Sequence, residues 1–142
     1  MKVVLDTNIL ASGAISAAGT VSRIIDAWRS GQFRVIVSAP ILAELERTLQ
    51  KPYFRRHLTD TQSSRFMMLL QRRATVSPIT VAVHGIATHP EDDVILATAV
   101  SAKADYLVTG DTKLQHVGTY QRVTILSPRR FLATLEEEVS EE

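Results

Sequence analysis

Four short apolar runs constrain the fold of this chain more than any other feature of its sequence. They are rich in β-branched residues, which favour strands. The runs lie at residues 3–5, 33–37, 106–108 and 123–126. Because they are apolar at consecutive rather than alternate positions, they indicate strands that are covered on both faces, as in a parallel sheet.

Segments with helical periodicity lie between these strands. Ser38 with Pro40 is a typical helix start, and so is Pro90 followed by three acids. Helices are predicted at residues 21–30, 40–50, about 60–72, 90–103 and 128 to about 137. Residues 76–88 predict only a strand or an irregular loop. The alternation of strands and helices predicts an α/β fold with a central, mainly parallel sheet.

Length and composition favour one soluble domain. The 142 residues suit a single hydrophobic core, so we expect one domain over residues 1–142. No segment approaches the roughly 20 apolar residues of a membrane helix, and the N-terminal apolar run ends too early for a signal peptide. The absence of cysteine excludes disulfides and agrees with a reducing compartment. We therefore expect a cytoplasmic protein.

The net charge of +1 hides two segments of opposite charge. Five of the fifteen acids lie in residues 136–142, which we predict to be a frayed, solvated tail. Between positions 47 and 73, seven basic residues accompany a single acid, Asp60. They are Arg47, Lys51, Arg55, Arg56, Arg65, Arg72 and Arg73. Such a patch can attract nucleic acid, although a solvated helix surface has the same composition.

Two aspartates directly follow predicted strands. Asp6 comes after residues 3–5, and Asp111 follows residues 106–108 at a distance of three positions. In an open parallel sheet, ligands bind in the crevice beyond the carboxyl ends of the strands, so these carboxylates are candidates for a cation site. Both residues also suit the alternative role of helix N-cap.

Further acids lie on predicted helices, where periodicity leaves the choice among them open. Glu44 lies beside the apolar stripe of its helix, but Glu46 is a competing candidate. Glu91, Asp92 and Asp93 occupy a first helical turn, where acids also stabilise the helix dipole. Asp93 shares a face with apolar residues, but so does Asp92, so the pattern does not choose between them.

A cluster of such carboxylates would need a cation to offset its internal repulsion. Mg²⁺ prefers oxygen ligands and keeps several waters, which suits a shallow acidic cluster. A zinc site is disfavoured because the chain has no cysteine and its histidines are scattered. We expect all four histidines to be surface or structural residues; they are His57, His84, His89 and His116.

Four motifs, in order along the chain, resemble those of PIN domains. Residues 3–10, VVLDTNIL, resemble the opening strand of that family, and residues 38–45, SAPILAEL, resemble its second element. Its third and fourth elements are similar to residues 90–99, PEDDVILATA, and 105–111, DYLVTGD. Residues 125–132, ILSPRRFL, resemble a subfamily described as the toxins of type II toxin–antitoxin pairs.

The resemblance implies a PIN-like three-layer α/β/α sandwich and an acidic set that binds the metal and is catalytic. The family pattern selects Asp93 over Asp92, and Glu44 over Glu46. The implied set is Asp6, Glu44, Asp93 and Asp111.

Other residues match or depart from the family pattern around this set. Asn8 and Thr109 match positions that support the site through hydrogen bonds. His89 is a departure, because related sequences often carry an acid before the proline, and this difference bears on metal preference.

The implied function is that of a Mg²⁺- or Mn²⁺-dependent endoribonuclease, which hydrolyses RNA phosphodiester bonds. We expect Lys113, Arg55 and Arg56 to hold the RNA backbone. The resemblance further implies a small antitoxin as protein partner and a homodimer.

Two alternatives belong to other functional classes. One is a non-catalytic PIN-fold module that binds RNA. The other is a phosphoryl-transfer or receiver α/β domain, since these also carry an aspartate after the first strand. It is disfavoured because Asn8 stands where a dehalogenase-like phosphatase needs a second aspartate, and because a receiver's acidic pair is missing.

Overall fold

Six strands form a central sheet in the part of the chain that the structure describes. The computed structural model describes the backbone of residues 1–141 and the side chains of residues 1–138. The strands are β1 (Lys2–Leu5), β2 (Arg34–Val37), β3 (Thr75–Val76), β4 (Tyr106–Val108), β5 (Thr119–Tyr120) and β6 (Val123–Leu126). Their order is β3-β2-β1-β4-β6-β5, and every neighbouring pair is parallel except β5 with β6. The predicted α/β fold with a mainly parallel sheet is confirmed.

Helices connect the strands and flank the sheet. In chain order they are α1 (Thr7–Ile15), α2 (Thr20–Arg29), α3 (Ala39–Leu49), α4 (Pro52–Arg55), α5 (Asp60–Arg73), α6 (Pro90–Ser101), α7 (Thr112–Val117) and α8 (Pro128–Glu141). The five predicted helices correspond to α2, α3, α5, α6 and α8. None of the helices described has both the length and the apolar character that crossing a membrane requires.

Three helices and two strands were not predicted because their local signals are weak. α1 follows β1 directly after Asp6 and has only a short apolar segment, Ile9, Leu10 and Ala11, all of which are buried. The helices α4 and α7 contain four and six residues, and β3 and β5 contain two each, which is too few for a periodic pattern. The irregular segment 77–89 agrees with the loop alternative for that region.

The C-terminal helix differs from its prediction. We expected a helix end near position 137 and a frayed tail over residues 136–142, but α8 extends to Glu141. Within this helix, Glu136 pairs with Arg23 of α2, with 2.6 Å between Oε1 and Nη2. This ion pair ties the first acid of the glutamate run to the neighbouring helix. The last residue of the predicted tail, Glu142, lies outside the described residues.

The topology brings the carboxyl ends of β1 and β4 together. The chain adds β2 and β3 on one side of β1 and then crosses to β4 on the other side. Just beyond β1, the Asp6 N–H donates to the Val108 carbonyl of β4 at 3.0 Å. Residues 3–5 of β1 are fully buried, so the site rests on a rigid strand. Such a switch point in strand order leaves a crevice in which α/β proteins bind ligands.

Candidate metal centre

Asp6 lies in this crevice, where its side chain caps α1. Its Oδ1 accepts the Ile9 N–H at 2.8 Å, and its Oδ2 accepts the Thr109 hydroxyl at 2.7 Å and the Gly110 N–H at 3.2 Å. Burial raises the pKa of Asp6 despite these hydrogen bonds, and the negative charge of Asp111 raises it further. The carboxylate is therefore held rigidly in a place where ionisation is unfavourable without a nearby cation.

Asp111 caps α7 and fastens a loop. Its Oδ1 accepts the N–H groups of Lys113 and Leu114 at 2.9 and 3.3 Å. Thr88 donates its hydroxyl to Oδ1 at 2.8 Å and its N–H to Oδ2 at 3.0 Å. Burial acts to raise the pKa of Asp111, but these hydrogen bonds outweigh it and lower the pKa overall. Asp111 thus stays ionised and anchors the loop before α6 to the sheet edge.

Thr109 joins the two aspartates through one hydroxyl group. This buried hydroxyl donates to Asp6 Oδ2 and accepts the Asp111 N–H at 3.0 Å. The supporting hydrogen bonds expected of Thr109 are present. The alternative role of N-cap is also observed for both aspartates. Capping explains why each aspartate begins a helix. It does not explain why the two carboxylates lie close together, which results from the position of β1 and β4 as neighbouring strands.

Glu44 reaches the same edge from α3. It is half-buried, and its Oε2 accepts the Thr7 hydroxyl at 3.2 Å, next to Asp6 in sequence. Glu46 is exposed and lines a different groove, against Met67 of α5. The structure therefore places Glu44, rather than Glu46, on the side of the crevice.

The structure separates the two neighbouring acids of α6. The carboxylate of Asp93 is buried and accepts three backbone N–H groups, those of residues 85–87, at 3.0, 3.0 and 2.7 Å. Asp92 instead lines the cleft that contains Asp6. The geometry does not support the selection of Asp93 over Asp92 made from the family pattern. The reason is tertiary, because the Asp93 carboxylate lies against the N–H groups of the loop at residues 85–87, outside the lining of the cleft.

A cleft of about 420 Å³ contains three of the acids. It is lined by Asp6, Asn8, Ile9, Ser12, Thr88, His89, Asp92, Gly110, Asp111 and Thr112. Asn8 and His89 are exposed at its rim. Glu44 lines an adjoining groove between α3 and α6.

The negative charges around the cleft repel one another. The pKa of Asp92 is raised to about 6, first by burial and then by the charges of Asp6, Asp111 and Glu44. In the described part of the chain, the one ion pair is that of Arg23 with Glu136, so none of the acids around the cleft is paired with a basic side chain.

The donor set suits a hard cation, which prefers carboxylate oxygens and retains waters. Among the described residues, however, no three acids or histidines are grouped closely enough to hold a metal ion. Asp92 and Glu44 are half-buried and can move, whereas Asp6 is fixed by its hydrogen bonds. Metal binding therefore requires side-chain movement towards Asp6.

The basic residues expected to hold RNA lie in different places. The Lys113 Nζ donates to the Ala87 carbonyl at 3.5 Å, beside the residues that Asp93 and Asp111 anchor. Arg55 ends α4, and Arg56 follows it. Both are exposed and lie outside the lining of the acidic cleft.

The fold and the site define an α/β protein with an acidic cleft at the switch point of a mainly parallel sheet. The model of the PIN domain family matches residues 2–113. The match covers most of the chain, and the protein belongs to the PIN domain family. A comparison with curated proteins found no match.

Solved structures share this fold. VapBC2 from Rickettsia felis, bound to a DNA fragment from their promoter, matches with a TM-score of 0.61 at 15% identity, over 88% of this chain and 97% of that chain. VapBC-1 from nontypeable Haemophilus influenzae matches with a TM-score of 0.60 at 21% identity, over 91% of this chain and 99% of that chain. FitAcB from Neisseria gonorrhoeae matches with a TM-score of 0.53 at 19% identity, over 89% of this chain and 98% of that chain. At these identities the likeness concerns the fold alone, and it confirms the predicted PIN-like architecture.

Proposed function

We propose that the protein is a divalent-metal-dependent ribonuclease that hydrolyses RNA phosphodiester bonds. PIN domains are generally nucleases, and they typically use divalent metals. The observation that carries the proposal is the group of acids at the switch point: burial and then the charges of its neighbours raise the pKa of Asp92 to about 6, and none of these acids forms an ion pair within the described part of the chain. A bound Mg²⁺ or Mn²⁺ would supply that missing positive charge.

We assign the acidic set as Asp6, Glu44, Asp92 and Asp111. Asp92 replaces Asp93 because Asp92 lines the cleft together with Asp6 and Asp111, whereas the Asp93 carboxylate lies outside that lining, against the N–H groups of residues 85–87. In this assignment Asp93 is a structural residue that shapes the loop bordering the cleft. Asn8, at the cleft rim, is a candidate hydrogen-bond donor to a bound water or phosphate.

Three of the four acids have distinct parts in the proposed chemistry. When bound, a divalent cation activates a water molecule and stabilises charge on the phosphate oxygens. Asp6, held by three hydrogen bonds, is the fixed ligand. Asp92 and Glu44 have freer carboxylates and are suited to close on the cation or to accept the proton of the attacking water. Lys113, beside the cleft, is positioned to hold a phosphate of the RNA.

We further propose that the protein is the toxin of a type II toxin–antitoxin pair. The resemblance of its motifs supports this role, and the similar solved structures include the complexes named VapBC2 and VapBC-1. The partner would be a small antitoxin that covers the acidic cleft. A homodimer remains a prediction, which light scattering of the purified protein would test.

Cleavage of a single-stranded RNA and a structured RNA tests the nuclease. The purified protein is incubated with each RNA in Mg²⁺, Mn²⁺ or EDTA, beside the Asp6→Asn variant. Metal-dependent cleavage that this variant loses supports the proposal. If folded protein free of antitoxin cuts neither RNA in any metal, the proposal fails.

A non-catalytic RNA-binding module is the second candidate. It is favoured by one observation, that no three acids or histidines among the described residues are preorganised to hold a metal ion. The same assay separates the two candidates, because this module would bind RNA in Mn²⁺ without cutting it. Calorimetry with Mn²⁺ alone adds a readout that does not depend on cleavage.

A further inference from the structure

A second groove, between α3 and α6, lies beside the acidic cleft. Its volume is about 470 Å³. Its lining consists of Pro40, Ile41, Glu44, Arg47, Thr48, Lys51, Glu91, Val94 and Ile95. Glu44 lines this groove and not the acidic cleft, but its Oε2 accepts the hydroxyl of Thr7, the residue after Asp6, so the groove adjoins the cleft. The groove therefore extends the surface available to a substrate in the cleft.

The groove has an acidic end and a basic end. Glu44 and Glu91 mark the first, and Arg47 and Lys51 mark the second. Both basic side chains are exposed, and neither forms an ion pair within the described part of the chain. Their positive charges are thus free to meet an anion, whereas the acids at the other end would repel one.

The spacing along α3 suits successive phosphates of a polynucleotide. Glu44 and Arg47 are three residues apart and share a helix face, and Lys51 follows just beyond the helix end. At about 1.5 Å of rise per residue, the basic side chains start roughly 5 and 10 Å from Glu44. A stacked strand has one phosphate per about 3.4 Å, so these distances correspond to about one to three nucleotides.

Between its charged ends the groove has an apolar floor. Ile41 of α3 and Ile95 of α6 are buried beneath it, and the half-buried Val94 of α6 is its accessible part. An unpaired base can pack against Val94, whereas a base inside a duplex cannot leave its stack without cost. The groove accordingly fits a single strand better than a helix.

We propose that this groove binds single-stranded RNA beside the scissile phosphodiester, with Arg47 and Lys51 contacting its phosphates. The inference rests on the proposed ribonuclease function, for which it names the substrate class and the path of the strand. It assigns the nearest phosphate contacts to Arg47 and Lys51 rather than to Arg55 and Arg56.

RNA binding without cleavage tests the groove directly. A fluorescein-labelled single-stranded RNA is titrated in EDTA at several KCl concentrations between about 50 and 200 mM, the range over which phosphate contacts dominate the salt dependence. The Arg47→Gln/Lys51→Gln variant is compared with the wild type. Two matched controls remove the same charge from the basic segment, Arg65→Gln/Arg72→Gln and Arg55→Gln/Arg56→Gln.

The groove variant should bind about tenfold more weakly at moderate salt, from the loss of two exposed phosphate contacts. Its slope of log affinity against log salt should fall by about 1.4, at about 0.7 for each contact to a single strand. In cleavage assays its KM should rise while kcat stays within about twofold, as expected for positioning residues. The Arg65 and Arg72 control should retain most of the wild-type affinity.

Three results would overturn the inference. The first is a groove variant whose slope of log affinity against log salt equals that of the wild type. The second is an equal loss of RNA affinity in either control variant. The third is tighter binding of a matched RNA duplex than of the single strand. The nuclease proposal fails independently, if wild-type protein cuts no RNA in any metal while the groove variant still loses its two phosphate contacts.

Discussion

Replacing each of the adjacent acids of α6 by asparagine should separate a metal ligand from a structural residue. Asn has nearly the shape of Asp, so Asp92→Asn and Asp93→Asn serve as matched controls for each other. We expect Asp92→Asn to lose metal-dependent cleavage and remain stable. We expect Asp93→Asn to be destabilised.

The magnitude for Asp93→Asn follows from its three hydrogen bonds. The buried carboxylate accepts two N–H groups on Oδ1 and one on Oδ2, at 2.7–3.0 Å. An amide keeps one acceptor oxygen, so at least one N–H loses its partner and the others lose the charge that strengthens them. Hydrogen bonds to charged groups contribute roughly 1.5–3 kcal/mol each, so the loss should be about 3 kcal/mol. For a chain of this size this lowers Tm by about 10 °C.

Asp92→Asn should stabilise the metal-free protein, whereas Asp93→Asn should destabilise it. The pKa of Asp92 is raised to about 6, so its ionised form destabilises the metal-free fold at pH 7. Because the Asp92 side chain is only half-buried, solvent screening limits the gain in stability on replacing it by neutral Asn to about 1 kcal/mol. Loss of a ligand oxygen should reduce Mn²⁺-dependent cleavage by about 100-fold or more.

Thermal unfolding in EDTA and RNA cleavage in Mn²⁺ measure the two effects separately. Cleavage by Asp93→Asn is measured well below its Tm, where it should stay within about tenfold of the wild type. The reasoning is refuted if Asp93→Asn unfolds at the wild-type temperature, or if Asp92→Asn cuts RNA at the wild-type rate.

Three further outcomes follow from the structure. The pKa of Asp92 rises from 3.8 to about 6 on folding, so its contribution to stability is present below pH 3.8 and is lost as the pH rises through 6. The Tm of the metal-free protein should therefore fall between these pH values, relative to the Tm of Asp92→Asn. Added Mn²⁺ should restore the Tm. Thr109→Val removes the donor to Asp6 and should cost about 1–3 kcal/mol by denaturant unfolding, with Thr109→Ser close to wild type. Gly13→Ala would place a Cβ 2.7 Å from Ile25 Cγ1 and should lower stability by about 1–3 kcal/mol, an effect that Ile25→Ala should relieve in the double variant.

The strand and helix framework was predictable from the sequence because its signals are local. The apolar runs of β4 and β6 were predicted with the observed bounds, since a strand buried on both faces needs apolar residues at successive positions. The position of Asp6 and Asp111 at strand ends was also predictable, because it depends only on where each run stops. That β1 and β4 are neighbours, which brings these two residues together, was decided by the topology of the folded sheet.

The choice among neighbouring acids was decided only by the tertiary structure. On α6, Asp92 and Asp93 differ by one position, and both match the apolar pattern of the helix. What separates them is residues 85–87, a loop without a periodic signal whose N–H groups converge on Asp93 and leave Asp92 in the cleft. A sequence determines where a carboxylate occurs, but its role depends on which distant groups surround it, and those contacts exist only in the folded chain.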